Sequence, residues 1–449
     1  MAQRVSVPVA SDSAGCSSCQ PRIWRPGAQR VSRYDIVISG AGVAGLWLAR
    51  KLAKLGYCVL VLEKGRVVAA YASTRNEGWL HCGTYHGGAI PVRDIALRVA
   101  RQTLDGYRQT LAFAPEAIEE KTTQTFALVR SLDIAEVESR WSEVGVPFER
   151  ITKHEFAGLV PEVRTKDVSA FFRVNDVSIN NRVLYRKLIK DAARNGARFL
   201  GNAGIQSFDG MRANVETPSG IESFEAKMFV CAAGFGIREF FLTRFDKPVD
   251  LALRLWKSHL IDLPRVARHG VFCLDSGEAT LMHHKQWTIA GFNSDSTAVT
   301  EPSFDTVMPG NVEADKVALE RMLRHVDFTG ARPRACIKVD QDPGAGIDVF
   351  VAADGTSYPR PQLGITYGQP LPGHLWMLPG KMSEAPYVAD RVISLIQAQV
   401  TPTRAVAGWA GKALPRIAKR PIDGYPATDT ASAGADRSAR RTAAGERGK

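Results

Sequence analysis

Apolar runs and helical stretches alternate along the chain, beginning with a strand, a glycine turn and a helix. Tyr34–Ser39 is a short run rich in β-forming residues, and a helical stretch follows it to Leu55, where Gly56 ends the pattern. Tyr57–Glu63 is a second apolar run of strand type. Together they predict a strand–helix–strand unit of about 30 residues, which is the building block of a parallel sheet.

The later pattern predicts more elements of both kinds. Helices are predicted over 94–113, 133–144, 182–195 and Ala385–Gln399, and strands over Thr123–Val129 and Lys227–Ala233. From Leu251 to about Phe292, polar and apolar residues alternate in a way that is typical of an antiparallel sheet. The fold class is therefore α/β, with a parallel sheet and a second, mostly antiparallel one.

Composition and charge narrow the class of protein. The 449 residues carry a net charge of +12, but residues 1–33 hold +4 of it and residues 402–449 hold +6. The rest is nearly balanced, so we expect no nucleic-acid partner. No apolar run is long enough to span a membrane, and we expect a cytoplasmic protein. Residues 1–33 are predicted to be a disordered leader, for which organelle targeting stays open. Residues 401–449 are predicted to form a basic, largely disordered tail, with the disorder beginning beyond Tyr425.

The seven cysteines do not suggest a disulfide framework, because they are odd in number and scattered. Cys58, Cys231 and Cys273 lie in apolar runs, where a free cysteine behaves as a small core residue. Cys16 and Cys19 form a C-x-x-C pair without a second pair nearby, so we predict no metal site.

The turn Gly40-Ala41-Gly42-Val43-Ala44-Gly45 carries the first chemical signal. Glycines at these spacings allow a tight turn, a close approach of the backbone to a pyrophosphate, and close packing of the helix on the strand. The helix N-terminus then presents N–H groups to the phosphates. Glu63 ends the second strand, 23 residues after Gly40, where an acid can bind a ribose hydroxyl. The unit predicts a dinucleotide with a free ribose hydroxyl, which favours FAD or NAD over NADP.

The segment Ser73–Gly88 is dense in Gly, His and small polar residues, and its pattern Asn76-x-Gly78-x-x-His81-x-Gly83-x-Tyr85 resembles a flavin-contacting stretch. The resemblance is to the D-amino-acid oxidase-like (DAO) superfamily of FAD enzymes, and within it to the L-2-hydroxyglutarate and glycerol-3-phosphate dehydrogenases. Val230–Gly234 is similar to the second FAD strand of that family, and Leu378–Ser383 to its C-terminal flavin segment. Asp354–Pro359 is a looser match to its D-G-x-P turn.

The resemblance implies a Rossmann-type FAD-binding domain with an interleaved α+β substrate domain built on the antiparallel sheet. It assigns 34–98, 160–250 and 345–400 to the first domain, and 99–159 and 251–344 to the second. It also implies FAD, non-covalent because no counterpart of the family's flavin-linking cysteine is present. The residues expected to contact FAD are Gly40, Gly42, Val43, Ala44, Gly45, Glu63, Lys64, Ser73, Thr74, Arg75, Asn76, Gly78, His81, Ala233, Gly234, Gly380, Lys381, Met382 and Ser383.

The resemblance places His81 where it can take a proton from a substrate hydroxyl while hydride leaves to the flavin. The expected substrate is a small 2-hydroxy acid or polyol phosphate, and O₂, a quinone or a carrier protein is the electron acceptor. Candidate substrate residues are Tyr85, Arg254, Lys257, His283 and Arg360, with Arg334 as a further anion clamp. Two alternatives stay open: an amine or amino-acid oxidase of the same fold, and a non-catalytic nucleotide-binding subunit.

Overall fold

The computed structural model describes residues 32–251, 253–275, 278–292, 297–341, 349–351, 357–359, 366–403 and 413–426. Cys16, Cys19 and Arg360 therefore lie outside the described residues. The helices in this part of the chain are α1 (Val43–Lys54), α2 (Ala72–Arg75), α3 (Thr84–Ala89), α4 (Arg93–Phe113), α5 (Ile134–Val144), α6 (Lys153–Leu159), α7 (Asn181–Arg194), α8 (Ile237–Thr243), α9 (Pro309–Met322) and α10 (Ala385–Gln397).

The first sheet contains β1 (Ser32–Ser39), β2 (Val59–Glu63), β8 (Arg198–Gly201), β9 (Gly204–Asp209), β10 (Arg212–Thr217), β11 (Gly220–Cys231), β20 (Thr366–Leu371) and β21 (His374–Leu378). Its central order is β20-β21-β11-β1-β2-β8, and every neighbour pair from β21 to β8 is parallel. Buried apolar residues of α1, α7 and α10 pack together with those of β1 and β2. The carboxyl ends of β1 and β2 therefore meet beside the N-terminus of α1.

The second sheet contains β4 (Thr125–Val129), β5 (Phe148–Ile151), β6 (Ala170–Val174), β12 (Leu253–Pro264), β13 (Gly270–Cys273), β14 (Ala279–His284), β15 (Trp287–Phe292), β16 (Thr297–Val299) and β17 (Arg332–Gln341). Its order is β16-β12-β15-β14-β13-β4-β6-β5, with β17 also on β12. Only the β13–β4 pair among these is parallel. Two ribbons complete the described strands, β3 (Trp79–Leu80) with β7 (Val177–Ser178) and β18 (Val349–Val351) with β19 (Ser357–Pro359).

The predicted α/β class, with one parallel and one mostly antiparallel sheet, is confirmed. The predicted helices and strands named above are all present, with bounds that shift by a few residues. The longest shift is in β11, which begins at Gly220 rather than Lys227 because it continues as a hairpin with β10. Cys58, Cys231 and Cys273 are buried free cysteines, as their apolar surroundings predicted.

Two predicted boundaries need correction. Ser32 and Arg33 belong to β1 rather than to the leader, since they pair with Phe224 and Glu225 of β11. The strand β6 belongs to the second sheet and not to the FAD-binding segment 160–250, because it pairs with β4 and β5.

The tail contains a segment with defined contacts. Its segment 413–426 lies against the body of the protein, and we call it the C-terminal strap. Ile417 bridges to Val68, and Arg420 forms an ion pair with Glu119. Ile422 packs in a small core with Trp287. These contacts give the strap buried partners that composition alone did not predict.

Candidate active site

The turn between β1 and α1 requires glycine at two positions. Gly40 has φ +108°, and an added Cβ there would lie 2.6 Å from the carbonyl oxygen of Ala232. A Cβ on Gly45 would lie 2.0 Å from the carbonyl oxygen of Gly40. Only glycine meets both demands. The first therefore makes the turn and the second lets α1 pack on it.

The N-terminus of α1 suits an anionic ligand. The first turn of α1 contains no acidic residue, so the partial positive charge of the helix end is not offset there. The N–H of Val43 donates to Ser73 Oγ at 3.0 Å, which joins the turn to α2. Gly42 and Ala44 line the same surface with little or no side chain.

Glu63 lies beside this turn at the end of β2. Its buried carboxylate accepts the N–H of Ala41 at 3.0 Å and the N–H of Gly65 at 2.9 Å. A carboxylate has about four acceptor positions, so two bonds leave room for a donor such as a ribose hydroxyl. The acid therefore stands at the position that the motif predicted, next to the helix N-terminus.

A cleft of about 870 Å³ extends from this turn to the start of α10. Both sheets contribute to it, for example Glu63 from the first and Thr280 from the second. The predicted residues that line the cleft are Gly40, Gly42, Val43, Ala44, Glu63, Lys64, Ser73, Asn76, His81, Tyr85, Ala233, Gly234, Gly380, Lys381 and Met382. The structure thus brings together residues that are more than 300 positions apart.

Four further predicted residues do not line the cleft but contact the residues or loops around it. Thr74 donates its hydroxyl to the carbonyl of Ala69 at 2.6 Å. Arg75 donates to the carbonyl of Phe304 at 2.9 Å. Gly78 packs against the ring of His284: a Cβ added to Gly78 would lie 2.5 Å from Cε1 of that ring. Ser383 Oγ accepts the N–H of His81 at 2.8 Å.

Several predicted substrate residues do not reach the cleft. Arg254 lies over the ring of Trp256, and Lys257 Nζ donates to Thr306 Oγ1 at 2.7 Å. Both ring nitrogens of His283 are engaged, with Thr288 Oγ1 and the carbonyl of His269. Their side chains point into structural contacts on the second sheet. Alternation along a strand could not show which face borders the cleft.

Arg334, the further candidate clamp, also has a structural partner. Its guanidinium is buried and pairs with both oxygens of Asp262 at 2.8 and 3.1 Å. It also donates to the carbonyl of Arg75. Arg334 therefore ties the second sheet to the loop at Asn76 and is not placed to hold a substrate.

His81 is held in the wall of the cleft from three sides. Its ring lies on that of Trp79, with centroids 3.9 Å apart, and the ring of His86 is 5.2 Å away. Its backbone is fixed by Ser383. The side chain is 7% exposed, and Nδ1 has no hydrogen-bond partner among the described residues.

The surroundings keep the imidazole of His81 neutral. Burial lowers its pKa well below the ordinary value of 6.5, and the nearby His86 and Lys381 lower it further. His86 is fully buried, and its pKa is lowered in the same way by burial and by Lys381. A neutral imidazole can accept a proton, which a protonated one cannot.

Lys381 and Glu384, just before α10, are two ionisable groups at the His81 end of the cleft. Burial and the positive charge of Lys338 lower the pKa of Lys381. The buried Glu384 accepts the N–H of Lys381 at 3.0 Å and the hydroxyl of Thr103 at 3.1 Å. Burial raises the pKa of Glu384 to about 7, against the lowering effect of Lys381.

Sequence reasoning missed part of the wall. Asn202–Gln206 and Glu216–Pro218 line one end of the cleft, and Cys336–Val339 of β17 line another part. The first group had an available signal, because β8 is parallel to β2 and ligands bind beyond the carboxyl ends of such strands. The second group had none, since β17 carries no motif.

The glycine turn, Glu63 and the buried His81 form a cleft that suits a dinucleotide. Comparison with known proteins decides the family. The profile of the DAO family, described as FAD dependent oxidoreductase, matches residues 35–357, which is well over half of the chain. The chain belongs to the DAO family. The predicted family and its FAD cofactor are thereby confirmed.

Individual relatives of this DAO-family chain are distant. D-amino acid dehydrogenase of Neisseria meningitidis serogroup C (strain 053442) is 26% identical over 254 residues, which are 44% of this chain and 60% of that protein. Mitochondrial L-2-hydroxyglutarate dehydrogenase of Dictyostelium discoideum is 38% identical over 55 residues, or 12% of each chain. The matches thus span less than two thirds of both relatives.

Among solved structures, dithionite-reduced L-α-glycerophosphate oxidase from Mycoplasma pneumoniae with FAD bound is similar in fold. The TM-score is 0.62 at 16% identity, over 86% of this chain and 100% of that chain. Identity at this level supports the DAO-family fold and does not extend to substrate.

The residues of this DAO-family cleft fit FAD. The glycine turn leaves a surface without side chains at the N-terminus of α1, where a pyrophosphate binds, and Glu63 has acceptor capacity left for a ribose. Non-covalent attachment of the FAD stays a prediction. Within the described part of the chain, no helix has the length and apolar character needed to cross a membrane.

Proposed function

We propose that this chain oxidises a small substrate that carries a hydroxyl group, a 2-hydroxy acid or a polyol phosphate, at the His81 end of the cleft. The observation that carries the proposal is the buried, neutral imidazole of His81 in the cleft wall. An alcohol must lose its hydroxyl proton when it becomes a carbonyl, and a positioned imidazole is the most frequent general base for such a step.

In the proposed reaction the substrate O–H and C–H bonds break and a C=O bond forms. His81 takes the hydroxyl proton. FAD, which the Gly40–Gly45 turn and Glu63 would hold, would supply the acceptor for the hydride of the adjacent C–H. Trp79 and Ser383 hold the His81 ring and backbone in place during the transfer. Tyr85 lines the cleft next to His81, with ring centroids 6.2 Å apart, and borders the substrate.

An acidic substrate needs a positive partner, and two lysines supply candidates. Lys338 and Lys381 both line the cleft, and Lys381 lies near enough to His81 to affect its pKa. We propose that they attract the carboxylate or phosphate group. They replace the arginine clamp that the sequence suggested, because Arg254 and Arg334 are engaged elsewhere.

Oxidation of an amine or amino acid is the second candidate function. The similarity to a D-amino acid dehydrogenase over 254 residues favours it. A neutral amine can give up hydride without a base, so this reaction would not depend on His81.

Anaerobic titration of the holoenzyme with matched panels distinguishes the two functions. We expect 2-hydroxy acids or polyol phosphates to bleach the visible absorbance of the flavin, and the corresponding amino acids to leave it unchanged. We also expect His81→Gln to slow flavin reduction by about 10²–10⁴-fold, which is the usual contribution of a general base. Stopped-flow absorbance measures both effects.

His154→Gln is the matched control, because His154 is an exposed histidine of α6. In this variant, the substrate should reduce the flavin at the wild-type rate. Bleaching by amino acids alone, with an unchanged rate in His81→Gln, would favour the amine reaction and end the hydroxy-acid proposal.

A further inference from the structure

A base with a strongly lowered pKa is a weak base unless something stabilises its protonated form. Burial, His86 and Lys381 all oppose a positive charge on His81. The imidazole must nevertheless carry that charge once it has taken the substrate proton. The described residues contain one acid within ion-pair distance of the ring, Asp176, whose Oδ1 lies 3.7 Å from His81 Nδ1.

Asp176 stands between β6 and β7 and is 1% exposed. Its carboxylate accepts hydrogen bonds from Trp79 Nε1 at 3.1 Å and from the backbone N–H of Cys82 at 3.2 Å. It also accepts from Cys82 Sγ at 2.9 Å and from the hydroxyl of Thr84. All four donors lie within three residues of His81, so one carboxylate holds the loop on both sides of the imidazole.

The donor set shows which form of Asp176 the fold favours. The pKa of Asp176 is raised overall, because burial outweighs the lowering effect of the bonds from Cys82, Thr84 and Trp79. Both oxygens accept, and a charged carboxylate makes the strongest use of such donors. These four donors therefore favour the charged carboxylate of Asp176, which supplies a negative charge beside the His81 ring.

The remaining groups near the ring offer no such charge. They are Tyr85 and His86 of α3, Cys82, Tyr107 and Lys381. Burial raises the pKa of Tyr85, of Cys82 and of Tyr107, which keeps all three neutral. Lys381, whose other charged neighbours are Lys338, Glu77 and Glu384, opposes protonation of His81.

We propose that Asp176 is the positioning residue for His81: its carboxylate fixes the loop that carries the imidazole and stabilises the positive charge that the ring acquires with the substrate proton. At 3.7 Å the contact is too long for a hydrogen bond. It is within the range in which an opposite charge favours the charged form of a group. The inference rests on the proposed role of His81 as base.

The test separates charge from structure. Asp176→Asn removes the charge and keeps the size, whereas Thr84→Val removes one donor of the same loop and keeps the charge. Holoenzyme with ¹³C-labelled histidine is titrated by NMR, and the His81 signal is assigned by its loss in His81→Gln. We expect the His81 pKa to fall by about 1–3 in Asp176→Asn and to stay unchanged in Thr84→Val.

A second readout is the pH dependence of flavin reduction. The neutral imidazole is the active form, so the rate rises with pH through the His81 pKa. A lower pKa moves this rise to lower pH in Asp176→Asn, while the plateau rate falls by about tenfold or more. In Thr84→Val, the rate of flavin reduction should rise at the same pH as in the wild type.

Identical His81 titration curves in the wild type and Asp176→Asn would overturn the inference, as would a rate lowered equally at every pH. Asp176→Ser repeats the test if the Asn variant does not fold, because its smaller side chain leaves room for water at the donors. The NMR titration needs no substrate. It therefore stands or falls separately from the hydroxy-acid proposal, which the substrate panels decide.

Discussion

Gly40 lies in the turn between β1 and α1 and has a backbone conformation that residues other than glycine rarely adopt. We expect Gly40→Ala to lower the free energy of unfolding by about 1–3 kcal/mol, because a side chain at φ +108° is strained. Its Cβ would also press on the carbonyl of Ala232, 2.6 Å away, and so move the turn. We therefore expect weaker FAD retention, measured as the flavin-to-protein absorbance ratio after gel filtration.

Gly158→Ala is the control for Gly40→Ala. Gly158 lies in α6, and an added Cβ there meets nothing within 4 Å. Alanine in a helix interior is favoured over glycine by about 1 kcal/mol, so this variant should be as stable as the wild type or more so. Full flavin retention in Gly40→Ala would contradict the role given to the turn.

Residues whose role depends on local spacing could be predicted from the sequence, and residues that act across the chain could not. Gly40 and Glu63 form one short motif, and His81 lies in a dense polar segment. Asp176 reaches His81 from 95 positions away, in an unremarkable run between two short strands. Lys338 sits in an edge strand without a motif. Only the folded sheets bring such residues to the cleft.

The C-terminal strap is an element that composition did not predict. Its residues belong to the basic tail, and Arg420 donates to both oxygens of Glu119 at 2.6 and 3.1 Å. His284 Nδ1 lies 2.7 Å from the same carboxylate, and its Nε2 lies 2.6 Å from the carbonyl of Glu77. The strap is thus one end of a buried polar chain that reaches the cleft wall.

We expect Glu119→Gln to destabilise the fold by about 3 kcal/mol at neutral pH, since it removes one of the two carboxylates, those of Glu119 and Asp423, that pair with the buried Arg420. Burial alone would raise the pKa of Glu119, but the bonds from His284 and Arg420 lower it to about 2. A lowered pKa stabilises the folded state above the ordinary value of 4.5, and this contribution is lost as the pH falls towards 2. Denaturant unfolding at a series of pH values measures it.

The difference between Glu119→Gln and the wild type should therefore shrink below pH 4.5. Glu149→Gln serves as the comparison, because Glu149 pairs with Arg173 at the surface and is 59% exposed. Exposed pairs contribute at most about 1 kcal/mol. Equal effects of the two variants at neutral pH would mean that the strap does not stabilise the body through Glu119.

At the scale of the whole molecule, the chain passes several times between its two sheets. The class of each sheet could be predicted, because hydrophobic alternation differs between buried parallel strands and half-exposed antiparallel ones. The boundary at residue 160 was wrong because β6 is only five residues long and carries no signal of its own. Which sheet a short strand joins is decided by its partner, here β4.

Both sheets line the cleft, and the second sheet is also tied to α2 in the cleft wall. Arg334 of the second sheet pairs with Asp262 and donates to the carbonyl of Arg75, close to Asn76 in the cleft wall. Tyr425 of the strap donates to the same Asp262 at 2.8 Å. Because the wall of the cleft is built from both sheets, we expect FAD bound there to stabilise them together.

We expect FAD added to the apoprotein to raise the stability of both sheets in one transition, by about 2.7 kcal/mol at a concentration about 100 times its Kd. Hydrogen exchange followed by mass spectrometry measures this on peptides from β1–α1 and from β12 and β17. Both sets should gain the same protection with FAD. Arg334→Met removes the tie between the second sheet and α2 in the cleft wall, so in that variant the gain should be larger in the first sheet. Protection confined to β1–α1 in the wild type would show that the sheets unfold separately and that the cleft does not couple them.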